Sequence, residues 1–111
     1  MRRGEVWWAQ LPPPAGRRPV VLLSRDEAYA ARELVTIAPV TTRVRGIAAE
    51  VALGPEDGLP RPCVVNLDTL TTVPKELLAD RLAVLTPARA RAMDSAIAFA
   101  LGLEAQTRRT G

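Results

Sequence analysis

Histidine is absent from the 111 residues, and Cys63 is the only cysteine. Together these gaps exclude a Ser-His-Asp triad, a Cys-His pair, any histidine acid–base couple and any intrachain disulfide. A zinc site would have at most one thiolate and no imidazole, so no metal and no cofactor are expected. No apolar run is long enough to span a membrane. The charged start Met1-Arg2-Arg3-Gly4-Glu5 leads into no apolar segment of signal-peptide type. The expectation is a cytoplasmic protein with no membrane partner. Lysine is nearly absent too: Lys75 stands alone among 15 basic residues, the rest being arginine. An excess of arginine, alanine and proline also follows from a GC-rich genome. The net charge of +3 and the pI near 10.0 are therefore only a weak pointer to a polyanionic partner.

What is present suits one small domain, residues 1–105, with a polar tail at 106–111. The stretch Gly16-Arg17-Arg18-Pro19-Val20-Val21-Leu22-Leu23-Ser24 is the anchor. Its apolar run is β-branched and bounded by turn residues, which predicts a strand buried on both faces. Pro19 pushes Arg18 into an extended conformation at the lip of that strand. A guanidinium there is always charged, planar and rich in donors, which suits phosphate.

Around the anchor the chain reads as short strands. Gly4–Leu11 holds Trp7 and Trp8, which alternation sends to opposite faces, with the core as the expected place for both. Pro12–Gly16 is a loop. In the polar stretch 25–33, Asp26 is placed to cap a short helical turn. Leu34–Val40 is a third strand, with Pro39 at an edge or bulge. Thr41–Gly46 is a loop dense in hydroxyls and guanidiniums. Ile47–Leu53 alternates, with Ile47, Ala49, Val51 and Leu53 on one face. Cys63–Val65 is a short buried strand, continued as a strand or bulged strand to Val73. Pro74 opens a helical turn, and Arg81–Leu85 is the last strand. Thr86 and Pro87 mark the start of a helix to about Leu101, with a stripe of Met93, Ile97, Ala100 and Leu101 and a stop at Gly102. The sum is mainly β with a C-terminal α-helix, an α+β chain forming a small β-barrel.

Four blocks carry a family resemblance. They are Arg3-Gly4-Glu5-Val6-Trp7-Trp8, Arg18-Pro19-Val20-Val21-Leu22-Leu23-Ser24-Arg25-Asp26, Ala38-Pro39-Val40-Thr41-Thr42, and Cys63 to Lys75 followed by Leu82–Thr86 and the closing helix. In this order they resemble the MazF/PemK (Kid) family of toxin endoribonucleases. The resemblance implies an SH3-like barrel of the MazF/CcdB type, a homodimer, and metal-independent cleavage of RNA by its own 2′-hydroxyl. It also implies a MazE-like antitoxin that blocks the RNA groove, and DNA binding through the antitoxin complex. The family's catalytic arginine and threonine map to Arg18 and Thr41. Arg17, Thr42, Arg43, Arg45, Asp68 and Thr69 are the candidates for contact with RNA. The chemistry is consistent: attack by a 2′-hydroxyl gains from positioning, and a guanidinium answers the charge that builds on phosphorus oxygens. No residue stands out as the general base.

This sequence departs from the family in two places. The loop before Arg18, Pro12 to Arg17, is short and lacks a Ser-Glu-Gln segment. The block Asp68-Thr69-Leu70-Thr71-Thr72 has threonines where the family carries glutamine and arginine. A short loop leaves the groove open to mRNA and to folded substrates such as tRNA. Two other functions stay open on this sequence. One is a CcdB-type gyrase poison, disfavoured because no aromatic residue follows Phe99. The other is a non-catalytic RNA-binding barrel.

Overall fold

Seven antiparallel strands form one sheet in the computed structural model, which describes residues 1–103. The strands are β1 (Glu5–Gln10), β2 (Arg17–Leu22), β3 (Leu34–Thr41), β4 (Glu50–Leu53), β5 (Cys63–Asn66), β6 (Thr71–Pro74) and β7 (Leu78–Val84). Two α-helices accompany them, the single turn α1 (Ala28–Ala31) and the long α2 (Pro87–Leu101). The strand path runs β4-β5-β3-β2-β1-β7, with β6 also paired to β3.

The anchor strand behaves as its composition requires. Val20 and Leu22 enter an apolar cluster with Val35, Ile37, Val73 and Tyr29. Val21 enters a second cluster on the other face with Val6, Ala38, Val51, Val65 and Met93. Each such fully buried side chain contributes roughly 1.5–3 kcal/mol. α2 packs Met93 and Ala96 into the second cluster and so covers that face. Its start is fixed as the sequence implies. The Thr86 hydroxyl accepts the Arg89 N–H at 3.2 Å, and Pro87 takes the first turn. Gly102 ends it at φ 76°, where a side chain would be strained.

Several expectations are corrected. The expected barrel is not closed, because β4 and β7 end the strand path without pairing to each other. Asp26 does not cap α1; its Oδ1 accepts the Arg3 N–H at 2.7 Å, so it ties the N-terminus to the chain after β2. β4 begins at Glu50, and Ile47 lies exposed before it, while Ala49, Val51 and Leu53 are buried as expected. The segment after Cys63 is broken by a turn at Leu67–Leu70, so β5 and β6 pair separately with β3. The last strand starts at Leu78 rather than Arg81. In α2 the buried stripe is Met93 and Ala96 with Ile97 beside them, and Leu101 faces outward. Trp7 and Trp8 do point to opposite faces, but both stay half-buried rather than fully in the core. Trp7 packs against the Val20–Leu22 cluster, and Trp8 borders a cleft on the other face. The tail at 106–111 lies outside the described residues. Among those described, no helix is long and apolar enough to cross a membrane.

Candidate functional site

Pro39 creates the site. β3 has β2 along one edge, and its other edge changes partner: β6 pairs it up to Ile37, and β5 takes over at Val40. Proline has no N–H to give to a ladder, so it falls where that outer ladder is interrupted. On the inner edge, Val20 pairs with Pro39. Carrying that register on by two residues sets Arg18 across from Thr41. Side chains alternate along a strand. By that rule Arg18, Pro39 and Thr41 share one face, with Asn66 and Glu50, which pair across β5 and β4.

These residues line one cleft of about 220 Å³, together with Arg43, Arg45 and Thr69. Each is held locally. Arg18 Nε donates to the Ala15 carbonyl at 3.2 Å, so the short loop before β2 aims its guanidinium. The Thr41 hydroxyl oxygen accepts the Arg43 N–H at 3.1 Å, which leaves its own proton to donate into the cleft. Glu50 Oε1 accepts the N–H groups of Arg45 at 3.0 Å and Gly46 at 2.9 Å. Gly46 sits at φ 73°, the left-handed region that lets the loop turn back over that carboxylate. Asn66 accepts the Asp68 N–H at 3.0 Å and donates to Thr69 Oγ1 at 3.1 Å.

Thr41 also borders a second cleft of about 220 Å³ on the opposite face, more apolar, with Trp8, Pro19, Val40, Thr42, Leu59 and Arg61. The Arg17 guanidinium lies over the Trp8 ring, 4.3 Å from its centroid. Cys63 forms part of this wall, buried. Burial pushes its thiol pKa up, and the nearby Asp57 and Glu56 push it further.

Of the expected site residues, Arg18, Thr41, Arg43, Arg45 and Thr69 therefore share one cleft. Thr42 lies in the second, and Arg17 covers its tryptophan. Asp68 lines neither cleft and stands exposed on the β5–β6 turn. Glu50, Asn66 and Trp8 were not expected at the site. Glu50 had a signal, since it alternates out of phase with buried Val51 and Leu53. Asn66 had none, because its place depends on which strand β5 pairs with. Among the described residues, no group of three or more His, Cys, Asp or Glu side chains stands together to hold a metal ion.

A small sheet that gathers three guanidiniums and a free hydroxyl on its rim, beside a tryptophan-lined cleft, defines a protein equipped to hold a phosphodiester chain. The comparisons agree. Residues 2–101 match the model of the "PemK-like, MazF-like toxin of type II toxin-antitoxin system" family, and the chain belongs to that family. It is 45% identical over 100 residues to "Probable endoribonuclease MazF5" of Mycobacterium tuberculosis, covering 89% of this chain and 91% of that one. The solved Mycobacterium tuberculosis toxin MazF-mt6 superposes with a TM-score of 0.83 at 35% identity, covering 89% of this chain and 97% of that one. A mycobacterial "Endoribonuclease in complex with its cognate antitoxin" gives a TM-score of 0.82 at 33% identity, covering 93% and 96%.

Proposed function

We propose that this chain is the toxin of a type II toxin–antitoxin pair and an endoribonuclease that needs no metal. The carrying observation is the single cleft that joins Arg18 to Thr41. The substrate's 2′-hydroxyl attacks the adjacent phosphorus, and the bond to the 5′-oxygen breaks. The products carry a 2′,3′-cyclic phosphate and a 5′-hydroxyl. Negative charge grows on the non-bridging oxygens during this step. The Arg18 guanidinium, aimed by the Ala15 carbonyl, neutralises it, and the Thr41 hydroxyl donates a hydrogen bond to it. Arg43 and Arg45 hold the flanking phosphates. The Trp8 cleft on the other side of Thr41 takes an unstacked base.

Among the described residues Glu50 is the only carboxylate lining the cleft, but its Oε1 already accepts two backbone N–H groups. Its role is to brace the loop that presents Arg43 and Arg45, and no general base is assigned. The Pro12–Gly16 loop folds tightly, with the Ala15 N–H on the Pro12 carbonyl at 3.1 Å. It leaves the cleft open to mRNA and to folded tRNA. The toxin works in the cytoplasm as a homodimer, held inactive by a MazE-like antitoxin.

The test is incubation of the purified chain with single-stranded RNA in chelator, with end-group analysis of the fragments. Cyclic-phosphate ends are expected from the parent protein. Arg18→Ala is expected to lower the rate by about a hundredfold to a thousandfold, with folding intact. RNA binding with no cyclic-phosphate product would overturn the assignment in favour of a non-catalytic binder. Gyrase inhibition without RNA cleavage would overturn it in favour of a topoisomerase poison.

A further inference from the structure

A larger cleft, about 400 Å³, lies at the far end of the β2–β3 ladder from the Arg18–Thr41 site. Five residues of β3 separate Thr41 from Thr36, or about 17 Å at the usual strand rise. Arg3, Arg25 and Arg32 line this cleft, together with Ser24, Thr36 and Thr72, and among the described residues no carboxylate does. Arg3 is committed, with Nε on the Leu23 carbonyl at 3.0 Å and its guanidinium on Asp94 at 2.9 Å. Arg25 and Arg32 are exposed, and neither is paired with a carboxylate of the described residues. Ser24 Oγ accepts the Thr36 N–H at 2.8 Å, so its proton is left to donate. Among the described residues the cleft's free charges are therefore of one sign, with hydroxyl groups beside them.

The β5–β6 turn lies between the two clefts. Thr69 lines the Arg18 site, and the next residue, Leu70, lines this one. By the alternation along β3, Thr36 faces the side opposite Thr41, so a strand held at the first cleft reaches the second by passing over that turn to the other face of the sheet. We infer that the Arg25–Arg32 cleft is a phosphate subsite that grips the RNA strand away from the cut. This rests on the ribonuclease reading above. An acidic peptide would meet the same guanidiniums. The hydroxyl groups of Ser24, Thr36 and Thr72 beside them favour a phosphate backbone.

The test compares the parent protein with Arg25→Ala/Arg32→Ala. Arg2→Ala/Arg91→Ala serves as a control, removing the same charge from side chains that line neither cleft. The probes are fluorescent 2′-O-methyl oligouridylates, which have no attacking hydroxyl. They are about 3 and about 12 nucleotides long, bracketing the footprint of a small single-strand binder. For the long probe, Arg25→Ala/Arg32→Ala is expected to weaken binding about tenfold or more. The slope of log K against log salt is expected to fall by about 1.4, the value for two single-strand phosphates. The short probe should be unaffected, and the control pair should change neither. With cleavable RNA, KM should rise and kcat should hold.

Equal weakening of both probes, equal weakening by the control pair, or an unchanged salt slope would overturn the subsite. So would a changed oligomeric state in light scattering, or loss of poly-glutamate binding with RNA binding intact. A parent protein that binds the long probe with this slope yet cuts no RNA would overturn the ribonuclease reading and leave the subsite standing.

Discussion

Glu50 separates two accounts of the cleft. If its carboxylate braces the arginine loop, Glu50→Ala frees the Arg45 and Gly46 N–H groups, now held at 3.0 and 2.9 Å. Hydrogen bonds to a charged acceptor contribute about 1.5–3 kcal/mol each when well shielded. Glu50 is half-buried and the loop is exposed, so about 1–2 kcal/mol for the pair is the appropriate scale once solvent screening is allowed for. Every 1.4 kcal/mol is a tenfold change in population. Glu50→Ala is therefore expected to lower kcat/KM by about tenfold, through a loop that no longer holds Arg43 and Arg45 in place. Glu50→Gln keeps the oxygen that receives both bonds. It also removes a negative charge from beside Arg18, Arg43 and Arg45. Its kcat should stay within about threefold of the parent, and its KM should fall, because the cleft becomes more positive. The assay is steady-state cleavage of a fluorogenic RNA over a range of pH. A glutamine variant as crippled as the alanine variant, with the alkaline-rising limb of its pH–rate profile gone, would refute the bracing account and make Glu50 the base.

Two further outcomes follow from ionisation. Burial works against the charge on Glu5, but the Trp7 Nε1–H, the Arg2 N–H, the N-terminal charge and Arg81 outweigh it and hold its pKa below the ordinary value. A carboxylate whose pKa is lower when folded stabilises the protein above its unfolded pKa and loses that contribution as the pH falls through the folded value. Glu5→Gln should therefore lower Tm at pH 7. The gap to the parent should close as the pH drops below about 4.3, followed by calorimetry. Cys63 is 5% exposed and its thiol is pushed up by burial, Asp57 and Glu56. It should react slowly with a disulfide reagent at pH 8 and quickly once denaturant is added, and equal rates would place it outside the wall of the Trp8 cleft.

Local chemistry carried much of this fold. An apolar run between turn residues has one economical use, and Val20 to Leu22 are buried on both faces as that run requires. Thr86, Pro87 and Gly102 bound α2 because capping is settled within a few residues of chain. The pairing of Arg18 with Thr41 came from the resemblance, and the shared cleft agrees with it. What the sequence left open was which edges meet. The break between β5 and β6 and the open ends at β4 and β7 follow from the order of strands around β3. Asn66 enters the cleft through that order, and the Arg25–Arg32 cleft exists because of it. Strand order is decided by long-range packing, whereas propensity, capping and turn chemistry act over only a few neighbouring residues.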